Sequence, residues 1–212
     1  VGALGDYTKF KDEDVLNKMY EIAPYARYGL FNNMAVLAEI PYRNIKTRLD
    51  DKEQGLGDIR LGLEFLPWED IFRYPWIMPH VTVSLPSGDE DKGLGQGETA
   101  GTFGVAVGTG VEDVLHFIAD ARYEVISNSD TSDDNVASLA GSIIWDLSAQ
   151  FSLIGEAKVT NEDNAPYDGT PVYFDGGMSY KALENLSFMV FAGSSQNTDE
   201  DFTGNMKISY SF

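Results

Sequence analysis

The chain has 212 residues, of which 43% are apolar and 12% aromatic, enough for one domain with a large dry surface. Thirty-four acids against fifteen Lys and Arg leave a net charge of −19, the wrong sign for holding a phosphate backbone, so nucleic acid is excluded as a partner. There is no cysteine, hence no thiolate chemistry and no zinc–thiolate site, and the longest uncharged stretch, Tyr74 to Gly88, is too short for a spanning helix.

Apolar and polar residues alternate in segments of about ten, separated by turn residues, which predicts an all-β chain. A short first strand is expected at about residues 2–9, and eleven more follow between residue 18 and Phe212. In chain order the clearest are four. Ile59, Leu61, Leu63 and Phe65 alternate with Arg60, Gly62 and Glu64; Leu115, Phe117, Ala119, Ala121 and Tyr123 with His116, Asp120 and Arg122. Phe151, Leu153, Gly155, Ala157 and Val159 alternate with Ser152, Glu156 and Lys158; Met206, Ile208, Tyr210 and Phe212 with Lys207, Ser209 and Ser211.

The connections alternate in kind. Leu30–Asn33, Gly110–Asp113, Trp145–Ser148 and Lys181–Asn185 read as tight turns, with a longer link from Trp68 to Tyr74 on the same side. Between them lie acidic loops at about 10–18, 46–57, 87–98, 127–135, 161–169 and 197–205. Together these loops hold nineteen acids and six bases, against fifteen and nine in the rest of the chain, so most of the excess charge belongs to one rim. Short and long links in alternation over twelve strands predict a 12-stranded antiparallel up-and-down transmembrane β-barrel of the bacterial outer membrane. It would form a single domain over residues 1–212, with both termini periplasmic. Aromatic residues near strand ends, among them Tyr20, Tyr28, Phe31, Tyr42, Trp68, Trp76, Trp145 and Tyr180, suit interfacial girdles, so lipid is an expected partner. The remaining alternative is a soluble barrel, whose polar face would be outside. Here that face is rich in Gly, Ser and Thr, as in a crowded wet lumen.

Several runs carry a resemblance: Leu37-Ala38-Glu39-Ile40-Pro41-Tyr42, Gly55-Leu56-Gly57-Asp58-Ile59-Arg60-Leu61-Gly62-Leu63, Val83-Ser84-Leu85-Pro86-Ser87-Gly88 and Gly93-Leu94-Gly95. They resemble the outer-membrane channel family labelled MetA-pathway of phenol degradation. That resemblance implies a twelve-stranded barrel passing small, often hydrophobic molecules. Tyr210 and the terminal Phe212 look like the sorting signal read by the outer-membrane assembly machinery.

Taking the apolar face as lipid-facing puts the acids Glu21, Glu39, Asp58, Glu64, Asp120, Glu124, Glu156 and Asp175 on the pore face, with the bases Arg27, Arg43, Arg60, Arg122, Lys158, Lys181 and Lys207. Opposite charges this close should pair, since an isolated buried charge is costly. The pairing is either a ladder that stiffens the wall or an eyelet that selects solutes. Twelve strands enclose less space than a sixteen-stranded porin, so a narrow conduit for passive diffusion of small solutes is expected.

No cofactor and no metal site are expected. Asp89, Glu90 and Asp91, with Asp130, Asp133 and Asp134, offer clustered hard oxygens, but no segment has EF-hand spacing. An acidic mouth should give a mild cation preference. No enzyme is expected either: His80 lies in mid-strand and His116 beside a short turn, and there is no Gly-x-Ser-x-Gly elbow. The other reading is a docking barrel whose acidic loops bind a partner protein or divalent cations, with Tyr167 and Phe202 as apolar anchors.

Overall fold

The structure is a computed structural model that describes residues 1–11, 16–47, 52–65, 75–112, 114–127, 135–161 and 169–212. The strands are β1 (Gly2–Phe10), β2 (Leu16–Phe31), β3 (Met34–Glu39), β4 (Tyr42–Thr47), β5 (Lys52–Leu56), β6 (Ile59–Phe65), β7 (Trp76–Leu85), β8 (Ala100–Val111), β9 (Leu115–Ile126), β10 (Val136–Asp146), β11 (Phe151–Thr160), β12 (Val172–Leu183), β13 (Leu186–Gln196) and β14 (Glu200–Tyr210).

Every pairing is antiparallel, and β1 closes the sheet by pairing with β14 on one side and β2 on the other. Closure removes the exposed edges that an open sheet would leave in lipid. Twelve staves result, because two of them are interrupted. The long β2 pairs with β3 through Tyr25–Phe31 and with β4 further up, so β3 and β4 are one stave broken at Ile40–Pro41. Likewise β5 and β6 are one stave broken at Gly57–Asp58.

The breaks have a local cause. Pro41 has no amide to donate, and its carbonyl accepts instead from Gly57 at 2.8 Å. Two residues separate Glu39 from Tyr42, whereas three separate their partners Arg60 and Leu56. One extra residue on one side is the count of a β-bulge, and it resets the alternation so that Gly55 and Arg60 both face inward. Beyond the break, β5 pairs only with β4 among the described strands.

The outer face is apolar. Phe103, Leu139, Ile143 and Trp145 are each at least half exposed, while the residues between them are partly or fully covered. A soluble barrel would turn these side chains inward, so that alternative falls. Strand spacing and tilt give a twelve-stave barrel a backbone radius of about 12 Å, wide enough for a lumen that wall side chains can narrow.

Some loop boundaries need correction. Of the expected loop at 46–57, residues 46–47 and 52–56 belong to β4 and β5, residues 48–51 lie outside the described residues, and the expected loop at 197–205 is mostly β14. Among the described acidic residues there, Glu53, Glu200 and Asp201 sit on strands. The girdle assignment also changes at Trp76, which stands opposite Gly108 on the enclosed face. Trp68 lies outside the described residues.

Candidate functional site

The register places the expected pore-face charges on the enclosed side, grouped by wall. On the wall formed by β2, the β3–β4 stave and the β5–β6 stave, Glu21 is 6% exposed and central. Arg43 Nε donates to it at 2.6 Å, and Arg60 Nη2 donates to its other oxygen. Arg60 Nη1 also lies 3.0 Å from Glu39, and toward the turn end Arg27 Nε donates to Glu64 at 2.6 Å. Two guanidiniums shared among buried carboxylates satisfy most of the polar atoms that burial would otherwise leave costly.

Further round, Asp120 on β9 lies 3.1 Å from His80 Nε2 and accepts from Arg122 Nε at 2.7 Å, and Glu124 accepts from Thr102 at 2.9 Å. The wall across the ring, β10 to β12, is held differently. There Ser142 donates to Glu156 at 2.6 Å and Thr203 to Asp175 at 3.3 Å, while the Lys158 ammonium stacks 4.1 Å from the Tyr173 ring centre. Lys207 lies 5.3 Å from the Tyr25 ring, and Lys181 is exposed at the turn-side rim. Asp58 is set apart: 3% exposed, it accepts from the amides of Gly88 and Gln96.

The interior also carries an apolar set that alternation did not announce. Leu4, Leu37, Trp76, Met78, Ile118, Ile144, Ile154, Met189 and Phe191 share the enclosed face, all within the half nearest the tight turns. Two of the rings lie flat on cross-strand glycines. A Cβ on Gly108 would stand 2.2 Å from the Trp76 ring, and one on Gly177 2.4 Å from Phe191. Glycine at these positions lets each ring lie on the wall rather than across the passage. At the turn-side mouth a recess of about 390 Å³ is lined by Leu4, Leu37 and Tyr25 together with Arg27, Glu39, Glu64 and Lys207. A solute there meets apolar and ionised groups side by side.

The two histidines sit in His–Asp pairs. His116 Nε2 lies 3.0 Å from Asp146, and the same carboxylate accepts from Ser152 at 2.6 Å. That serine is bonded to the acid rather than to the imidazole, so the imidazole does not activate it as a nucleophile. Among the described residues, no group of three His, Cys, Asp or Glu side chains is arranged to hold a metal ion. Of the acidic loop candidates, Asp89 accepts from Lys92 Nζ at 2.6 Å, and that hydrogen bond holds its carboxyl below the usual range. Glu90 and Asp91 are exposed in the same single 3₁₀ turn, Glu90–Lys92. Asp130, Asp133, Asp134 and Tyr167 lie outside the described residues, while Phe202 belongs to β14 and faces outward beside Tyr7.

Solved structures share this architecture. An outer-membrane channel from Pseudomonas putida F1 aligns with a TM-score of 0.75 at 12% identity, covering 100% of this chain and 95% of that one. The NanC porin aligns at 0.69 and 11% identity, covering 100% and 99%. The CymD monoaromatic hydrocarbon channel aligns at 0.58 and 10%, covering 100% and 87%. At such identities the likeness concerns the fold. No curated protein matches the chain. The family described as "Putative MetA-pathway of phenol degradation" matches residues 3–212, and the chain belongs to that family.

Proposed function

We propose that the protein is a narrow, passive channel of the bacterial outer membrane through which small solutes, hydrophobic ones included, diffuse down their gradients. The observation that carries this is the inversion of a soluble fold: large apolar side chains coat the outside, while the enclosed face holds ionised groups and a recess open at the turn-side mouth. Such a surface is stable only with hydrocarbon around it and water within.

The interior supports the solute class. Its turn-side half sets apolar side chains beside ionised ones, its middle is ionised, and its largest rings lie against the wall, an arrangement that offers surface to a small amphipathic or aromatic molecule. A hydrocarbon channel among the structural relatives agrees with this. The charged residues of the pore face other than Asp58 line the path, with Arg122, Arg60 and their carboxylates narrowing it. Transport needs no cofactor and no chemical step. In an outer membrane the short turns and both termini face the periplasm, with the longer acidic connections outside and the whole chain acting as one barrel. Their charge gives a mild cation preference.

The test is single-channel recording of the purified, refolded protein in a planar bilayer with a salt gradient. Small discrete steps with weak cation selectivity are expected. Silence from protein whose gel migration shows it folded would refute the channel reading and leave a docking role for the acidic loops.

A further inference from the structure

Two glycine-rich elements far apart in the chain, Gly55–Asp58 and Ser87–Gly95, meet inside the barrel. After β7 ends, Ser87 patches the broken stave: its hydroxyl donates to the Gly57 carbonyl at 3.1 Å and accepts from the Ile59 amide at 2.8 Å. The chain then leaves the wall and turns inward. One buried carboxylate holds both ends of the inserted segment, since Asp58 Oδ1 accepts from the Gly88 amide at 2.9 Å and Oδ2 from the Gln96 amide at 2.7 Å. Between those ends, Leu94 is 2% exposed and packs on the inward face of β5, where a Cβ on Gly55 would stand 2.9 Å from its methyl. The inward-facing Ile45, 5% exposed, lies under the same segment beside Gly93.

The backbone is built for this approach. A Cβ on Gly88 would stand 2.7 Å from the Gly95 Cα, so only glycine allows the two strands of the segment to touch, and Gly93 turns it with a φ of +68°. Arg43 adds a third tie, donating from Nη1 to the Leu94 carbonyl at 3.1 Å. A segment with buried anchors at both ends and an apolar plug between them is a fixed part of the lumen, unlike a surface loop.

We infer that residues 87–97 form the channel's constriction on the loop side, latched by Asp58 and seated by Leu94. This rests on the channel reading. The constriction narrows the passage beside β4 and β5, where the wall itself is broken, and it presents the exposed turn at Glu90 and Asp91 to whatever enters. Asp58 is therefore a positioning residue for the segment rather than a group that meets solute. Asparagine cannot replace it, because two amides need two acceptor oxygens and the carboxamide offers one.

The test pairs two readouts in refolded protein whose heat-modifiable migration shows a closed barrel. Single-channel conductance is compared among the wild type, Asp58→Asn and Leu94→Ala. Separately, Ile45→Cys, the sole thiol in a chain without cysteine, is reacted with a water-soluble maleimide, with and without Asp58→Asn. Expected are an at least twofold rise in conductance over the wild type in both variants, and at least tenfold faster labelling once Asp58 is changed. Rapid labelling with Asp58 intact would overturn the inference, because the segment would not be seated. A conducting wild type with unchanged variants would overturn the constriction and leave the channel standing. Silence from all three would overturn both.

Discussion

Arg43 ties Leu94 to the barrel wall: while its Nη1 donates to the Leu94 carbonyl at 3.1 Å, its Nε donates to Glu21 at 2.6 Å. One planar guanidinium thus serves the ionic wall and the inserted segment at once. Arg43→Ala leaves Glu21 buried with Arg60 as its remaining partner, and the loss of a charge-assisted bond should cost about 2–3 kcal/mol. Arg43→Lys should recover only part of this, since an ammonium lacks the fork that reaches both acceptors. Urea unfolding of the barrel in lipid vesicles measures it, and a cost under half a kcal/mol would mean that the pair is idle.

On the outer face, Leu61 is 46% exposed and lies mid-stave between Ala38 and Val83. Leu61→Arg would place a cation in hydrocarbon, at a cost of about 2–4 kcal/mol near the membrane midplane. The same substitution at Leu153 on β11 should behave alike. Unfolding midpoints in vesicles check this, and a negligible loss at both positions would contradict the lipid-facing assignment.

The fold was legible where one face is strictly apolar. Leu61, Leu63 and Phe65 alternating with Arg60, Gly62 and Glu64 announce a stave, and the matching register with β3 and β7 follows. Legibility stopped where apolar residues run together. Ile143 and Ile144 are adjacent, as are Phe188 to Phe191, and a period of two cannot say which of such neighbours turns inward. The apolar set in the lumen was missed for that reason. Asp58 illustrates a second limit. Its place on the enclosed side follows from spacing, but its two amide partners lie about 30 residues and more away, and no local pattern encodes a bond across that distance. The glycines around it were visible as a motif, yet the reason for them, the close crossing of Gly88 and Gly95, exists only in the folded chain.

Leu139 and Ala140 on β10 point to opposite sides, Leu139 being 54% exposed outward and Ala140 standing opposite Asp120 and Lys158. With no native cysteine to interfere, Ala140→Cys should react with a charged, water-soluble thiol reagent at least tenfold faster than Leu139→Cys in vesicles. Equal rates would mean that the lumen holds no water at that depth, and a reversed order would mean that the faces are exchanged.

Arg122 on the enclosed face keeps its side chain 52% exposed, although Nε and Nη2 both lie on Asp120. Asp120 keeps its bond to His80 when the guanidinium goes, so Arg122→Ala should leave the wall intact and the lumen one charge more negative. At about 8 Å in water, a unit charge contributes roughly 0.5 kcal/mol, which is about a twofold enrichment of cations and a comparable depletion of anions. The reversal potential under a salt gradient should therefore move toward cations, and the shift should fade at molar salt as the screening length falls to about 3 Å. Conductance should rise as well, because side-chain bulk in the lumen is reduced. A shift toward anions, or none at low salt, would show that ions do not pass close to Arg122.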